Sequence, residues 1–166
     1  MFGLSPGFCF RVALWAVLFH GGWEYAQVIP LYRCWGRWTT GQRLWVLPAA
    51  TLGDAVATVA FTVMAAGLLG PAHVQPMSRT GGVLLLGIGL GAGIVFETVA
   101  RRFDLWRYRD TMPTLRVAGH DIGLVPVLQM TILPALAVAL AACPSPDSAR
   151  LIPPSPSPIP QRRWTK

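Results

Sequence analysis

The sequence has few charged residues and few cysteines, and each shortage excludes a class of protein. Only 13% of the 166 residues are charged, about half of the roughly 25% that is usual in soluble domains. The three cysteines are an odd number without a CxxC pair, which excludes a disulfide scaffold. Because 53% of the residues are hydrophobic, disorder is excluded for most of the chain. The class that remains is a membrane protein.

Four apolar stretches are long enough to cross a bilayer, which takes about 20 mostly apolar residues. They cover residues 10–29, 45–69, 82–100 and 122–142. The first is the most polar, because it contains Arg11, His20 and Glu24. No small-x-small cleavage site follows its apolar core, so we expect a retained helix and not a signal peptide. The sequence predicts an all-α fold, with a bundle of four transmembrane helices over residues 1–142.

Two further features of composition concern the tail and the charges. Residues 143–166 contain seven prolines and four serines, which predicts a disordered tail. Arginine supplies thirteen of the fourteen basic residues, and eight of them lie in the segments 30–44 and 101–121. Basic residues favour the cytoplasmic side of a membrane, so we predict that both segments are cytoplasmic. The net charge of +7 is thereby explained without a nucleic-acid partner.

Each apolar stretch carries a polar group in the half that is nearest these two segments. We measure the depth of each group from the end of its apolar stretch that adjoins these segments. At a rise of 1.5 Å per residue, the depths are about 5 Å for Glu97, 9 Å for Glu24, 10 Å for Gln129, 13 Å for Asp54 and 15 Å for His20. A carboxylate in hydrocarbon costs at least a few kcal/mol, so these groups should face the bundle interior. We therefore predict one acidic pocket in one leaflet half. Its candidate catalytic residues are Glu24, Asp54 and Glu97, and its candidate binding residues include His20, Gln27 and Gln129.

A purely structural interpretation of the same residues is also open. Glu97 can pair with Arg101 at i+4, and Glu24 can bond His20 at i−4. Asp54 can accept a hydrogen bond from Thr51 or Thr58, which follow the same helical stripe.

The segment before the fourth stretch is rich in arginine and aromatic residues. Trp106 and Tyr108 suit a membrane interface, and Arg107 and Arg109 suit a phosphate or carboxylate. These four residues predict a lid that recognises an anionic headgroup, or else an ordinary aromatic belt with cytoplasmic arginines. His120 is a further candidate binding residue.

Histidine and carboxylate side chains can bind zinc or iron, and the sequence contains His20, Glu24, Asp54, Glu97, His120 and Asp121. No HExxH motif or clustered histidine spacing accompanies them. We therefore predict neither a metal site nor a cofactor. Asp121 is expected to cap the fourth helix.

Several short motifs resemble those of a group of small bacterial four-helix membrane proteins to which no activity is assigned. They are WEYAQ-x2-PLY at 23–32, TLGD at 51–54, FE at 96–97, W-R-Y-x3-MPTL at 106–115 and G-L-x-P-x-L-Q at 123–129. The resemblance implies four spans and a location in the inner membrane. In residue types, and not in motifs, the acids and the aromatic segment are also similar to carotenoid-modifying membrane enzymes, which implies an isoprenoid handled by acidic residues.

Three functions fit these patterns, and the sequence does not decide whether the chain is an enzyme. The first is a protein that binds or modifies a lipid or isoprenoid at the acidic pocket, with proton transfer by its carboxyl groups. The second is a small carrier, which would need to form a homo-oligomer because the other leaflet half is apolar. The third is an accessory or assembly subunit. Its partner membrane helix would dock on the glycines at 87, 89, 91 and 93.

Overall fold

The computed structural model describes residues 3–34, 36–117 and 119–143, and these are mostly helical. The elements in chain order are α1 (Pro6–Leu31), α2 (Thr40–Leu69), a short 3-10 helix (Pro71–His73), α3 (Arg79–Arg102), β1 (Thr114–Val117), β2 (His120–Gly123) and α4 (Leu124–Ala142). The predicted tail lies outside the described residues except for Cys143.

The helices α1, α2 and α3 begin before the apolar stretches, because polar side chains cap their first turns. The Ser5 hydroxyl accepts a hydrogen bond from the backbone N–H of Phe8 at the start of α1. Thr39 and Gln42 form a reciprocal capping box at the start of α2. Ser78 accepts from the N–H of Gly81 in α3. Each cap satisfies backbone donors that a helix start leaves unpaired. Because the capping residues are polar, the apolar stretches alone predicted helix starts that lie several residues too late.

The prediction of an all-α chain is wrong between α3 and α4, where a two-stranded antiparallel hairpin forms. Its strands pair Leu115 with Ile122 and Arg116 with Asp121. Asp121 therefore lies in a strand and does not cap α4, whose N-cap is Gly123 without a side-chain hydrogen bond. Ile122 is buried like a helix core residue, and for this reason the apolar pattern did not reveal the strand.

Three of the described helices, α2, α3 and α4, are long and apolar enough to cross a membrane. Arg11, His20 and Glu24 interrupt the apolar run of α1, so α1 is not among them. The exposed surface differs from that of a soluble protein, because much of it consists of large apolar side chains. Large apolar side chains such as Leu14, Leu52 and Leu90 are exposed. The buried set, in contrast, includes seven polar or charged residues: His20, Gln27, Thr51, Thr58, Thr62, Glu97 and Gln129.

The helix packing leaves one side of the bundle less closed than the others. α1 packs against α2 and α4, and α3 packs extensively against α4, whereas α2 and α3 contact each other much less. At the end of the bundle where α1 begins and α2 ends, the interior is an apolar core that includes Phe8, Val12, Phe61, Leu85 and Val138. The buried polar groups that line the cavity described below lie toward the opposite end, where α1 and α3 end and α2 and α4 begin. We call this opposite end the polar end.

Candidate functional site

The polar end is covered by the chain that follows α3, residues 103–113, which we call the cover segment. It is attached to the end of α1 by an isolated β-bridge between Tyr32 and Tyr108. The N–H of Arg33 donates to the Arg107 carbonyl oxygen at 3.0 Å, and the N–H of Arg109 donates to the Leu31 carbonyl oxygen at 2.8 Å. These backbone bonds hold the cover segment across the top of the helices.

A cavity of about 380 Å³ lies beneath the cover segment. All four helices contribute to its wall, and so do both connecting segments at the polar end. Its polar lining consists chiefly of Glu24, Gln27, Asp54, Glu97 and Gln129, and its apolar lining includes Val28, Leu47, Phe96, Leu105 and Met130. The volume falls within the roughly 300–1,000 Å³ of typical small-molecule sites.

Gln129 of α4 connects the polar groups of the other helices. Its side-chain nitrogen Nε2 lies 2.9 Å from Glu24 Oε1 and 2.9 Å from Asp54 Oδ2. Its oxygen Oε1 accepts from Gln27 Nε2 at 2.8 Å, and Gln27 in turn donates to Glu24 at 3.1 Å. The oxygen of Gln27 accepts from Trp23 Nε1. The two amides thus use their hydrogens to hold two carboxyl groups in fixed positions, which orders the cavity wall before any ligand binds.

His20 extends this network into the bundle interior. The Thr58 hydroxyl donates its single hydrogen to the Asp54 backbone carbonyl at 2.9 Å. It can therefore only accept from the ring nitrogen His20 Nε2, which lies 3.1 Å away and so carries a hydrogen. The other ring nitrogen, Nδ1, lies 3.4 Å from Asp54 Oδ2. The ring is completely buried, and its Nδ1 also lies 3.2 Å from the side-chain nitrogen of Gln129, which can donate to it.

Glu97 of α3 is bound by one residue of the cover segment and one residue of the hairpin. Its oxygen Oε2 accepts hydrogen bonds from the Tyr108 hydroxyl and from the backbone N–H of Gly123. The Tyr108 oxygen accepts in turn from Trp106 Nε1 at 3.1 Å. Arg101 lies over the Tyr108 ring, 5.1 Å from its centroid, and donates to the Trp106 carbonyl oxygen. Glu97 therefore connects the cavity wall to its cover.

The cavity is open on the side between α2 and α3. Five lining residues are themselves exposed on the outer surface: Val46, Ala50, Gly53, Phe96 and Leu105. The first three belong to α2, Phe96 belongs to α3, and Leu105 follows it. In contrast, the lining residues Gln27, Val28, Gln129 and Met130 of α1 and α4 are buried. The opening thus faces the surface that a bilayer would surround.

The structure brings most of the predicted site residues together and leaves three outside. Glu24, Gln27, Asp54, Glu97, Trp106 and Gln129 line the cavity, and His20 and Tyr108 contact its acids. Arg107 instead pairs with Asp104, Arg109 donates to the Tyr32 carbonyl oxygen, and His120 is exposed in β2. The two arginines line a separate surface depression of about 560 Å³ above the cover segment.

The pairings of the purely structural interpretation are replaced by other contacts. Glu97 accepts from Tyr108 and Gly123 and not from Arg101. Glu24 is bonded by the two glutamines, and His20 faces Asp54. The Thr58 hydroxyl bonds the Asp54 backbone oxygen and not its carboxyl group. The acids thus contact groups on other elements, an arrangement that spacing along a single helix does not predict.

Two aromatic residues of the site were missed by the sequence analysis. Tyr32 and Trp38, which come from the segment between α1 and α2, line the cavity beside Trp106. Tyr32 and Trp106 meet edge to face, with ring centroids 6.4 Å apart. Burial raises the pKa of Tyr32, so its hydroxyl stays protonated. The sequence feature that could have identified them is the high aromatic content of this segment. The same content is typical of an ordinary aromatic belt at a membrane interface, so it did not single these residues out.

The glycines of α3 are divided between two faces. Cβ atoms at Gly89 and Gly93 would run into α4, at the Met130 carbonyl and at Val127. Cβ atoms at Gly87 and Gly91 would meet no atom of the described chain within 4 Å. Gly89 and Gly93 thus serve the close approach of α3 and α4 within this chain, and they do not form a free docking face.

The chain matches no family model, and neither curated proteins nor solved structures give a match.

Proposed function

We propose that the chain is a multi-pass inner-membrane protein, with all four helices crossing the bilayer, and that its cavity binds or modifies a lipid or isoprenoid. The observation that carries this proposal is the convergence of carboxyl and amide groups from four helices in one cavity beneath a cover. Such groups are costly within a bilayer. A protein retains them there when they meet one another or a ligand.

The packing of α1 supports four crossings. Its polar residues His20 and Gln27 are buried, whereas Phe10, Leu14 and Leu18 are exposed on its outer face. Apart from Arg11 near the start of the helix, the side of α1 that would meet lipid is therefore apolar, even though the helix as a whole is less apolar than the others. Buried polar residues lower the mean hydropathy of a helix, but their side chains do not contact the hydrocarbon of the bilayer.

The carboxyl groups supply acid–base chemistry. A carboxylic acid at the wall of an apolar cavity can protonate a double bond or a leaving hydroxyl group, and a carboxylate can remove a proton. The His20 ring lies beside Asp54, with Nδ1 3.4 Å from Oδ2. Glu24 shares the Gln129 amide with Asp54. This pair of acids is suited to proton transfer on the polar end of an isoprenoid or lipid.

The apolar core at the other end of the bundle does not favour the carrier. It fills the interior there with side chains such as Phe8, Phe61 and Leu85, and none of the acids or amides that line the cavity lies in this core.

The test is binding of a prenyl alcohol by the purified full chain in lipid nanodiscs, measured by native mass spectrometry. We expect one bound molecule per chain, and a loss of binding of about tenfold or more for Asp54→Asn and for Glu24→Gln. Asp110→Asn is the matched control, because the Asp110 side chain is almost fully exposed. Thermal unfolding of each variant shows whether the fold is kept. If both amide variants stay folded and bind as well as the parent protein, the proposal is wrong.

A further inference from the structure

The charge of the cavity lining selects the polar group of the ligand. Three acids line the cavity, and no lysine, arginine or histidine of the described chain does so. The side chains of the nearby arginines are engaged outside the lining, since Arg101 lies over the Tyr108 ring and Arg107 pairs with Asp104. An anionic headgroup would therefore meet three carboxyl groups and no cation of the lining, which is unfavourable at low dielectric.

Each of the three carboxyl groups also keeps an unused acceptor. One oxygen of each is engaged, namely Glu24 Oε1, Asp54 Oδ2 and Glu97 Oε2. The second oxygens, Glu24 Oε2, Asp54 Oδ1 and Glu97 Oε1, accept no hydrogen bond from the described part of the chain. Glu97 is only 2% exposed, and it lines the cavity. A ligand that fits these acceptors must donate several hydrogen bonds.

The aromatic residues add a second, independent preference. Tyr32, Trp38 and Trp106 line the cavity on the side of the connecting segments. Ring faces attract cations, and most strongly where water is excluded. Aromatic rings next to carboxyl groups form the arrangement that recognises ammonium groups in proteins.

The open side of the cavity determines how such a ligand can arrive. The exposed lining residues Ala50, Gly53 and Phe96 belong to α2 and α3, which pack against each other much less extensively than α3 packs against α4. A Cβ atom at Gly53 would meet no atom of the described chain within 4 Å. Gly53 thus leaves free space at the entrance, next to where lipid chains would lie.

We propose that the ligand is a long-chain amine, whose ammonium group binds among the three acids and the aromatic rings, and that it enters sideways from the bilayer between α2 and α3. This proposal rests on the proposed function and names its ligand class. The ammonium group donates up to three hydrogen bonds, and the unused carboxyl oxygens of the lining can accept them. The apolar chain would extend past Gly53 and Phe96 into the bilayer.

The test compares three ligands that differ only in their polar group. A long-chain primary amine, and the alcohol and the fatty acid of the same chain length, are added to the full chain in nanodiscs, and bound ligand is measured by native mass spectrometry. We expect the amine to bind about tenfold or more tightly than the fatty acid, and more tightly than the alcohol. If the alcohol binds as tightly as the amine, the ammonium assignment is wrong and the proposed function stands. If neither binds, and the prenyl alcohol of the first test does not bind either, the proposed function is wrong as well.

The entrance is tested with a pair of matched variants. Gly53→Phe places a ring in the opening, and Gly87→Phe places the same ring on an exposed face of α3 that does not line the cavity. We expect Gly53→Phe to slow amine association about tenfold or more relative to Gly87→Phe. Equal association rates in two folded variants would show that the ligand does not enter at this point. Gly53→Ala adds little bulk. If the ring of Gly53→Phe slows association by narrowing the opening, Gly53→Ala should bind the amine at the rate of the parent protein.

Discussion

At the scale of single residues, the site depends on hydrogen-bond donors that hold acids in place. Gln129 contributes both of its amide hydrogens and Tyr108 its hydroxyl hydrogen, and each comes from a different part of the chain than the acid it bonds. A buried carboxyl group that loses its donor costs about 1–3 kcal/mol, and more if it is charged. The donors are therefore as important for the site as the acids.

Tyr108 provides a direct test of this dependence. In Tyr108→Phe the donor to Glu97 is lost and the acceptor of the Trp106 indole is lost as well. We expect a loss of about 1–3 kcal/mol of stability, measured as a lower midpoint of thermal unfolding in detergent. Tyr25→Phe is the control, because Tyr25 is 53% exposed on the outer face of α1. Equal midpoints for the two variants would show that the bond to Glu97 does not hold the cover segment.

The exposed pair of Asp104 and Arg107 predicts a pH dependence outside the membrane. Hydrogen bonds from Arg107 lower the pKa of Asp104 below its ordinary value of 3.8. The pair therefore forms fully above the ordinary pKa and is lost as the pH falls through the lowered value of the folded protein. We expect an NMR titration to give a pKa below 3.8 for Asp104, and Arg107→Gln to raise it. An unchanged pKa in the Arg107 variant would contradict the pairing.

At the scale of secondary-structure elements, the sequence predicted the four helices but not their ends or the hairpin. Long apolar runs are visible in any window, whereas the caps at Ser5, Thr39 and Ser78 are single polar residues outside those runs. The hairpin has only four residues in each strand, which is too short for a reliable alternation. The gathering of the acids at one end of the bundle could be predicted from helical rise. Their partners could not, because they lie on other elements.

The contact between α3 and α4 depends on Gly89. A Cβ atom there would overlap the Met130 backbone carbonyl, so one of the two helices must shift. We expect Gly89→Ala to destabilise the protein by about 1–3 kcal/mol. Gly91→Ala lies on the open face and should be neutral, or stabilising by up to about 1 kcal/mol through helix propensity. Thermal unfolding of the two variants checks this, and a destabilised Gly91 variant beside a normal Gly89 variant would contradict the packing.

At the scale of the whole molecule, the proposal of four crossings places the start of α1 and the end of α4 on one side of the membrane. Single cysteines at Gly7, Gly36, Ala72 and Gly119 in a variant without the native cysteines test this with a membrane-impermeant thiol reagent. We expect Gly36 and Gly119 to be labelled from the cytoplasmic side, and Gly7 and Ala72 from the other. Labelling of Gly7 from the same side as Gly36 would show that α1 does not cross.

The most direct test of the cavity as a lipid site is photo-crosslinking in native membranes. A photoreactive phenylalanine analogue replaces Phe96, which lines the open side of the cavity and is 46% exposed. In a second variant it replaces Phe10, which is 62% exposed on α1 and does not line the cavity. We predict that mass spectrometry finds one single-chain amphiphile strongly enriched among the adducts at Phe96, and only the bulk membrane lipids at Phe10. The same bulk lipids at both positions would contradict a ligand site in this cavity.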